Sequence, residues 1–403
     1  MTTDKKPTKK LVLAYSGGLD TSYCAKYLSK EKGFVVHAVS VNTGGFSTEE
    51  INNIKEKALQ LGAHSYTSID AVKSFYDKVV KYLIFGNVLR NNTYPLSVSA
   101  ERIVQALEIA LYAKKLGAQA IAHGSTGAGN DQVRFDMIFQ IIAPEIEIIT
   151  PIRDKQLSRE TEIAYLKENG VDYSWEKAKY SINKGLWGTS VGGAETLTSE
   201  KALPSSAYPS QLTENEPKEI ALSFTKGELT AINGQKNNPI NNIEILQEMA
   251  SGYAIGRDIH VGDTIIGIKG RVGFEAAAPL IIIKAHHLLE KHTLTKWQQY
   301  QKEQLGNFYG MLLHEGNYLD EVMRNIETFL TDTQKNVSGE VFVTLHPYRF
   351  ELNGIDSKHD LMSAAFGSYG EMNKGWTAAD AKGFIKILSN TGKIATHINE
   401  HHD

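Results

Sequence analysis

The sequence predicts an α/β protein with a doubly wound parallel sheet, a second α+β domain and a C-terminal helix. Strand-like and helix-like stretches alternate over about the first 150 residues, the composition changes at Pro151, and the helical stretch AADAKGFIKIL lies near the end. Alternating strands and helices of this length imply a parallel sheet with helices on both faces. Such sheets place ligands at the carboxyl ends of their strands.

The elements of the first part follow in chain order. The apolar run LVLAYS is typical of a buried strand, and the helix expected after it ends at Gly33. FVVHAVSVN predicts a second strand, and STEEINNIKEKALQLGA predicts an amphipathic helix capped by Ser47 or Thr48. A strand in HSYTSID, helices in AVKSFYDKVVKYLIFG and SAERIVQALEIALYAKKLGA, and a strand in AQAIAHG complete this part.

The pattern after Pro151 is mixed. The helix LSRETEIAYLKENG precedes SINKGLWGTSVGG, which is rich in Gly, Ser and Trp and is expected to be a loop. From about residue 218 to 355, β-rich runs such as EIALSFT and EVFVTLHPYRFEL surround a long helix expected near 294–331. This pattern predicts an α+β domain. The appended C-terminal helix is expected to pack either on its own chain or on a neighbouring subunit.

The composition is that of an ordinary globular protein. The 403 residues are 41% hydrophobic and 22% charged, and a net charge of -3 gives no general attraction to nucleic acid or to anionic lipid. The single cysteine excludes a disulfide within one chain, and no stretch offers about 18 uninterrupted apolar residues. We therefore expect a cytoplasmic protein with no nucleic-acid and no membrane partner.

The stretch SGGLDTS (16–22) follows a predicted strand and opens a helix, where backbone N–H groups and the helix dipole can bind an anion. Gly17 and Gly18 permit positive φ and a close approach of a phosphate to the backbone, and Asp20 could hold Mg²⁺ beside the phosphate. Hydroxyl donors come from Ser16, Thr21 and Ser22. The loop is neither a Walker A sequence nor a GxGxxG fingerprint. The alternative is a tight turn capped by its Asp or Thr.

A second motif, HGSTGAGNDQVRF (123–135), directly follows the strand AQAIA. Its three glycines allow a close backbone approach, and its polar side chains come from Thr126, Asn130, Asp131 and Arg134. An amino-acid substrate needs this mixture, because its carboxylate pairs with a cation and its ammonium with an anion. The alternative is a polar loop that caps the sheet. His123 is interpreted as structural rather than as a general base.

These motifs resemble those of a known family. SGGxDS after the first strand is similar to the pyrophosphate-binding loop of the N-type ATP pyrophosphatases, and HGSTGAGNDQVRF closely resembles the HGATGKGNDQVRFE signature of the argininosuccinate synthase family. The segment YPLSVSAER resembles that family's YPLGTSLAR, and IAPEIEIITPIRD, MRNIE and AADAKGFIKI also resemble family stretches. The resemblance covers nearly the whole chain and is strongest before residue 155.

The resemblance implies an ATP-dependent ligase that joins citrulline and aspartate through a citrullyl-AMP intermediate and releases AMP and pyrophosphate. It implies ATP as a substrate, Mg²⁺, and a homotetramer. The implied domains are a nucleotide-binding domain at 1–172, a synthetase domain at 173–360 and an oligomerisation tail at 361–403.

The resemblance also implies a set of site residues. The ATP-binding residues are Ala14, Tyr15, Ser16, Gly17, Gly18, Leu19, Asp20, Thr21, Ser22, Val41 and Gly124. Aspartate would contact Thr126, Asn130 and Asp131, and citrulline would contact Tyr94, Ser99, Asn130, Arg134, Ser181 and Ser190. Asp20, Asn130 and Asp131 are the expected catalytic residues, with Asp20 also the expected Mg²⁺ ligand; Asp131 would position aspartate rather than act as a general base.

The chain departs from the family pattern at three places. Asn42 begins NTGG where the family has Asp-x-Gly-Gln, Gly262 stands where the family has a citrulline-binding Glu, and Phe274 stands where it has a Tyr. Losing a carboxylate and a hydroxyl leaves a polar substrate group without partners. Two alternatives follow. Another carboxylate binds the citrulline ammonium, with Asp258, Asp263 and Glu275 as candidates, or the substrate carries an acyl group on that nitrogen.

Two rival functions share part of this pattern. A tRNA-thiolating enzyme would use the same loop but would also need catalytic cysteines and a basic RNA-binding face. A non-catalytic nucleotide-binding module has no need of the GNDQVR stretch or of a large second domain.

Overall fold

A five-stranded parallel sheet forms the centre of the first part of the chain. The computed structural model describes residues 9–171, 173, 179–363, 370–371 and 375–401, so the predicted domain limits at 1, 172 and 403 lie outside the described residues. The strands are β1 (Lys10–Ala14), β2 (Val35–Asn42), β3 (Ser65–Asp70), β4 (Ala120–Ala122) and β5 (Glu147–Ile149). Their order is β3-β2-β1-β4-β5, and every pair is parallel. The prediction of a parallel sheet is confirmed.

Helices cover both faces of this sheet because successive side chains of a strand point to opposite sides. Leu11 and Leu13 pack in one apolar cluster, and Val12 between them packs in another. The helices are α1 (Leu19–Lys30), α2 (Thr48–Gln60), α3 (Val72–Phe75), α4 (Lys81–Phe85), α5 (Ser97–Leu116), α6 (Asp131–Ile142), α7 (Pro151–Asp154) and α8 (Arg159–Glu168). A π-helical turn joins α3 to α4, so one continuous helical segment runs through the predicted stretch. Ser47 caps α2 with a capping box.

The rest of the chain contains two antiparallel sheets. Their strands are β6 (Ser181–Gly185), β7 (Gly188–Gly192), β8 (Lys218–Thr225), β9 (Glu228–Ile232), β10 (Gln235–Lys236), β11 (Arg257–Asp263), β12 (Lys269–Glu275), β13 (Gly339–His346) and β14 (Arg349–Asp356). One sheet has the order β10-β9-β8-β13-β14, and the other has the order β11-β12-β7-β6. The predicted α+β pattern is confirmed.

The stretch SINKGLWGTSVGG is a β-hairpin, β6–β7, so the expectation of a loop is wrong. The turn is anchored by Trp187, whose ring is fully buried and whose Nε1–H donates to the carbonyl of Pro95 at 3.0 Å. Gly188 supplies a positive φ of 113° where the chain reverses. Two large apolar residues at a turn hide the usual hairpin pattern. Their burial comes from contacts outside the hairpin, since Trp187 bonds to Pro95 and Leu186 lies against Gly44.

The helices of this part are α9 (Pro239–Ser251), α10 (Ala277–Thr293), α11 (Lys296–His314), α12 (Glu321–Thr333), α13 (Ala378–Leu388) and α14 (Asn390–His401). The one long helix expected near 294–331 is therefore two helices, α11 and α12. After α11 the chain adopts a positive φ of 88° at Gly316, and the Asp320 carboxylate then accepts from the N–H of Val322 at 2.9 Å and caps α12.

The predicted C-terminal helix is α13, followed by α14. No residue of either helix is buried, although their apolar side chains are numerous. Phe384, Ile385, Ile387, Leu388, Ile394 and Ile398 are between 50% and 71% exposed. Among the described residues, none of the helices has the length and apolar character needed to span a bilayer.

Candidate functional site

A cavity of about 700 Å³ opens at the carboxyl ends of β1, β2 and β4 and extends to β6. It lies where the strand order of the parallel sheet reverses, which is the usual ligand position in such sheets. The predicted residues that line it are Ala14, Tyr15, Ser16, Gly18, Leu19, Asp20, Thr21, Val41, Gly124 and Asp131. The fold thus brings the SGGLDTS loop and part of the second motif to one site.

The SGGLDTS loop presents the N-terminus of α1 to the cavity. Gly18 is the N-cap residue and no side chain caps the helix there, so the alternative of a tight turn capped by Asp or Thr is not what the structure shows. Gly17 uses the positive φ that glycine permits, at 78°, whereas Gly18 has a φ of -74°, so only one of the two glycines needs the left-handed conformation. Uncapped N–H groups at the start of a twelve-residue helix are able to bind an anion.

Gly17 and Ser22 support this loop from behind rather than line the cavity. A Cβ at Gly17 would lie 3.1 Å from Cγ1 of Ile54. The Ser22 side chain is fully buried, 3.5 Å from the hydroxyl of Tyr15. Gly124 closes the other side, because a Cβ there would lie 3.2 Å from atoms of both Asp20 and Thr21.

Asn42, at the end of β2, stands where a carboxylate was expected from the family pattern. Its Oδ1 accepts from the N–H groups of Gly44 at 3.0 Å and Phe46 at 3.3 Å. This is an Asx turn, and it needs an acceptor oxygen but no charge. The substitution therefore keeps the shape of the loop after β2 and removes one negative charge from the rim of the cavity.

Asp20 and Glu162 form a hydrogen-bonded carboxyl pair beside the loop. Burial raises the pKa of Asp20, and burial together with the Asp20 charge raises the pKa of Glu162 to about 8. The pair therefore holds a proton near neutral pH. One oxygen of Glu162, Oε2, is buried with no hydrogen-bond partner in the described part of the chain.

These two carboxyls could hold a divalent cation only if a bound ligand supplied further oxygen atoms. Among the described residues, no group of three or more His, Cys, Asp or Glu side chains could hold a metal ion. Mg²⁺ is commonly bound by one or two carboxylates plus phosphate oxygens and water. Asp20 and the unpartnered oxygen of Glu162 match that donor set.

Asp131, the first residue of α6, lies between two arginines. Its Oδ2 accepts from Nε of Arg102 at 3.1 Å, and its Oδ1 accepts from Nη1 of Arg134 at 3.0 Å. Burial opposes the charge of Asp131, but the two guanidinium groups outweigh it and hold the pKa of Asp131 below its ordinary value. Asp131 is therefore an anion held in place at neutral pH. Its side chain is still 39% exposed, so a ligand can reach it.

Arg102 is held by a second carboxyl behind it. Glu101 is buried, accepts from Arg102 Nη1 at 2.8 Å and accepts from the Thr43 hydroxyl at 2.8 Å. Burial raises the pKa of Glu101 to about 7, against the lowering effect of Arg102. The hairpin turn packs so closely here that a Cβ at Gly185 would clash with Oε2 of Glu101.

The rest of the second motif makes contacts with both parts of the chain. Oδ1 of Asn130 accepts from the N–H of Ile265, in the β11–β12 turn, at 2.8 Å, whereas Thr126 is exposed. His123 is buried with Nε2 at 2.8 Å from Oδ1 of Asp136, and its Nδ1 accepts from the N–H of Ser125 at 3.1 Å. Both ring nitrogens of His123 are engaged, which supports the structural interpretation of this residue.

The residues predicted to bind citrulline lie outside the lining of the 700 Å³ cavity, on and beside the sheet β11-β12-β7-β6. The Tyr94 ring stacks on His260 with centroids 5.0 Å apart and contacts Phe274 at 5.3 Å. Ser190 is directly opposite Phe274 in the β7–β12 pair, so the two share a face. By strand register Ser181, which is exposed, lies on the same face.

Arg134 and Ser99 also belong to the group of residues predicted to bind citrulline. Nε and Nη2 of Arg134 donate to the carbonyl of His314 at 3.0 and 2.8 Å. The hydroxyl of Ser99 donates to the carbonyl of Leu96 at 3.4 Å. In the described part of the chain, the predicted residues outside the lining of the 700 Å³ cavity are Gly17, Ser22, Tyr94, Ser99, Thr126, Asn130, Arg134, Ser181 and Ser190.

Sequence reasoning missed several polar residues of the site. Arg102 lies in a stretch that the family resemblance had already indicated, and its pairing with Asp131 could have been proposed from charge alone. Glu162 lies on α8, outside every motif, and only the packing of α8 on α1 brings it to Asp20. Nothing in the sequence around Glu101 indicates that its carboxyl is buried.

Comparisons with known proteins agree along the whole chain. The family described as "Arginosuccinate synthase N-terminal HUP domain" matches residues 10–172, and "Arginosuccinate synthase C-terminal domain" matches residues 180–395. The argininosuccinate synthase of Sulfolobus acidocaldarius is 34% identical over 389 residues, which cover 96% of this chain and 98% of the relative. Those of Methanocaldococcus jannaschii (37% over 363 residues; 89% and 91% covered) and Xylella fastidiosa (34% over 403 residues; 97% and 98% covered) are similar in the same way.

Proposed function

Since the chain belongs to the argininosuccinate synthase family, we propose that it condenses citrulline with L-aspartate and cleaves ATP to AMP and pyrophosphate. The observation that carries the proposal is the meeting of two motifs in one cavity. The uncapped helix N-terminus of SGGLDTS faces the same space as Arg102 and Asp131, which are joined by a hydrogen bond. The product is argininosuccinate. The same chemistry on an N-acylated citrulline is the alternative.

In the first step, the ureido oxygen of citrulline attacks the α-phosphorus of ATP. An oxygen–phosphorus bond forms, the bond from the α-phosphorus to the bridging oxygen breaks, and pyrophosphate leaves with that electron pair. The N–H groups at the start of α1, with Ser16 and Thr21 beside them, stabilise the charge that develops on pyrophosphate. The remaining ATP-binding assignments, from Ala14 to Ser22 with Val41 and Gly124, are part of this proposal.

In the second step, the aspartate amine attacks the activated ureido carbon. A carbon–nitrogen bond forms, AMP leaves with the carbon–oxygen electron pair, and the amine loses its proton. Asp131 orients the incoming amine, and Thr126 and Asn130 contact the rest of aspartate. Because the substrates supply both nucleophiles, the protein contributes mainly orientation, which can lower a barrier by about 7–11 kcal/mol.

Citrulline is proposed to extend from this reacting centre to the second sheet. The guanidinium of Arg134 would face its carboxylate, and Asn130 would lie beside the ureido end. The other contacts proposed for it are Tyr94, Ser99, Ser181 and Ser190.

We also propose that Asp20 and Glu162 hold Mg²⁺ when ATP is bound. The ion would supply positive charge at the pyrophosphate oxygens. The two carboxyls would then release the proton that they hold in the free protein.

The proposal includes the domain limits 1–172, 173–360 and 361–403, a homotetramer and a cytoplasmic location. The exposed apolar side chains of α13 and α14 support an assembly in which these helices pack on another copy of the chain.

The experiment that tests the proposed function is an assay of pyrophosphate release by the purified chain. Release should require ATP, the citrulline substrate and aspartate together, with omission of any one abolishing it. ATP cleavage that depends on added tRNA would favour the tRNA-thiolating alternative. Nucleotide binding without cleavage, in the presence of aspartate and of free and acylated citrulline, would favour a binding module.

A further inference from the structure

Glu101, on α5, is a carboxyl of the cavity that the proposed mechanism does not use. It belongs to the lining of the 700 Å³ cavity, yet the residue is only 2% exposed. The family segment YPLGTSLAR has an alanine at the position that Glu101 occupies in YPLSVSAER. A buried carboxylate is costly unless cations and hydrogen bonds compensate it, so the partners of Glu101 indicate its role.

Both oxygens of Glu101 accept hydrogen bonds. Oε2 accepts from the Thr43 hydroxyl at 2.8 Å, and Oε1 accepts from Nη1 of Arg102 at 2.8 Å. Thr43 lies in the loop after β2, and Nε of Arg102 donates to Oδ2 of Asp131, the first residue of α6, at 3.1 Å. Glu101 therefore connects the loop after β2, through Arg102, to the carboxylate that is proposed to orient aspartate.

The guanidinium of Arg102 has two further partners. Its Nη1 donates to Oε1 of Gln105 at 2.9 Å, and its Nη2 donates to Oδ1 of Asn183, on β6, at 3.3 Å. Among these four partners only Glu101 and Asp131 are carboxyls. The positive charge of Arg102 is therefore shared between a buried carboxyl and the one that a ligand can reach.

The backbone around Glu101 leaves room for its carboxyl. A Cβ at Gly185, in the β6–β7 turn, would clash with Oε2 of Glu101, and a Cβ at Gly45 would clash with the carbonyl of Lys184. Glycines at these two positions let the hairpin turn and the loop after β2 approach each other closely. Glu101 is thus enclosed between them instead of facing solvent.

The charges of this group balance only when Glu101 is ionised. Glu101 and Asp131 then oppose Arg102 and Arg134, whose Nη1 donates to Asp131 at 3.0 Å. With Glu101 neutral, the four side chains carry one net positive charge, and Lys184 on the same cavity wall adds another. A positive group attracts the ammonium of aspartate less strongly, because Asp131 is then its only anion.

The ionisation of Glu101 falls close to neutral pH. Burial raises the pKa of Glu101 to about 7, although Arg102 and the Thr43 hydroxyl lower it. Burial also opposes the charge of Asp131, but Arg102 and Arg134 outweigh it and hold the pKa of Asp131 below its ordinary value. Asp131 therefore stays anionic over the pH range in which Glu101 gains its proton.

We propose that Glu101 is a positioning residue for aspartate: its carboxylate holds Arg102 and shares the charge of that guanidinium, so that Asp131 stays oriented and available to the substrate ammonium. Glu101 itself takes no part in the bond changes. The role is additional to those that the family resemblance implies, since the family segment has no carboxyl at this position. This inference rests on the proposed function.

The test measures pyrophosphate release against aspartate concentration, at saturating ATP and citrulline, for the native protein, Glu101→Gln and Glu101→Ala. We expect KM for aspartate to rise about 10-fold in both variants, with kcat and KM for ATP changed by less than about 2-fold. The control is Glu108→Gln, a carboxyl of the same helix that accepts from the Ser74 hydroxyl at 3.2 Å, and it should leave all three constants near the native values. A lower kcat with an unchanged KM for aspartate overturns the inference.

The pH profile separates this role from packing alone. For the native protein, kcat/KM for aspartate should fall as the pH drops through about 7, because Glu101 then becomes neutral. Glu101→Gln should lack this fall and should match the native protein most closely at about pH 6. A flat native profile, or the same fall in Glu101→Gln, overturns the inference and leaves the proposed function intact. No pyrophosphate release by the native protein with all three substrates overturns the proposed function itself.

Discussion

The carboxyl pair Asp20–Glu162 makes the stability of the free protein depend on pH in an unusual direction. The Glu162 side chain is 2% exposed, and its pKa of about 8 lies well above the ordinary 4.5. The folded protein therefore binds a proton that the unfolded chain has already released between these two values. The contribution of this carboxyl to the free energy of unfolding is fully present below the ordinary pKa, and it is lost as the pH rises through about 8. The difference corresponds to as much as ~5 kcal/mol for the pair.

Glu162→Gln removes the ionisation and keeps the size of the side chain. We expect the variant to differ little from the native protein at pH 5, apart from the cost of burying an amide, and to lose much less stability between pH 5 and 9. Urea unfolding at a series of pH values, without nucleotide or metal, measures this slope. Glu168→Gln, on the exposed side of the same helix, is the control. If native protein and Glu162→Gln lose stability in parallel over this range, the reasoning is wrong.

Three further predictions concern other parts of the molecule. Lys302 and Glu290 form a 2.8 Å ion pair with side chains 3% and 2% exposed. Lys302→Met leaves the buried carboxylate of Glu290 without its partner and should lower the free energy of unfolding by about 3–5 kcal/mol. The surface change Lys296→Met is the control, and equal midpoints of urea unfolding for the two variants would contradict the prediction. Asp131→Asn should raise KM for aspartate on the order of 100-fold in steady-state assays, and an unchanged KM would remove Asp131 from the aspartate site. Gly185→Ala should lower the stability by about 1–3 kcal/mol, and it should also lower the activity, because the new Cβ clashes with Glu101. Gly192→Ala is the control and should cost less, since its Cβ would have its nearest neighbour 4.0 Å away. Thermal unfolding that ranks the two variants the other way would refute this prediction.

The first part of the fold could be predicted from the sequence because local signals and burial agree there. LVLAYS forms a strand buried on both faces, and Ser47 with Glu50 forms the cap that its spacing indicates. The hairpin at SINKGLWGTSVGG could not be predicted, since Trp187 is buried by contacts with residues nearly 100 positions earlier. The break between α11 and α12 combines the positive φ of Gly316 with the cap at Asp320, and neither was recognised within the apolar helical pattern.

The residues of the candidate site also fall into those that the sequence indicates and those that it does not. Residues grouped in a motif, such as those of SGGLDTS, lie together because the loop is continuous. Residues that act through tertiary packing give no local signal: Glu162 reaches Asp20 from α8, and His260 reaches Tyr94 from β11. The sequence did indicate the unusual glycine at 262, but not that an imidazole fills its space.

The central claim is that the ureido oxygen attacks the α-phosphorus of ATP while pyrophosphate leaves to the N-terminus of α1. The most direct measurement labels the ureido oxygen of the preferred citrulline substrate with heavy oxygen and follows the label after turnover with ATP and aspartate. The account predicts that the label appears in the phosphate group of AMP, one atom for each molecule of product. Unlabelled AMP, with the heavy oxygen retained in the amino-acid product or lost to water, would contradict it.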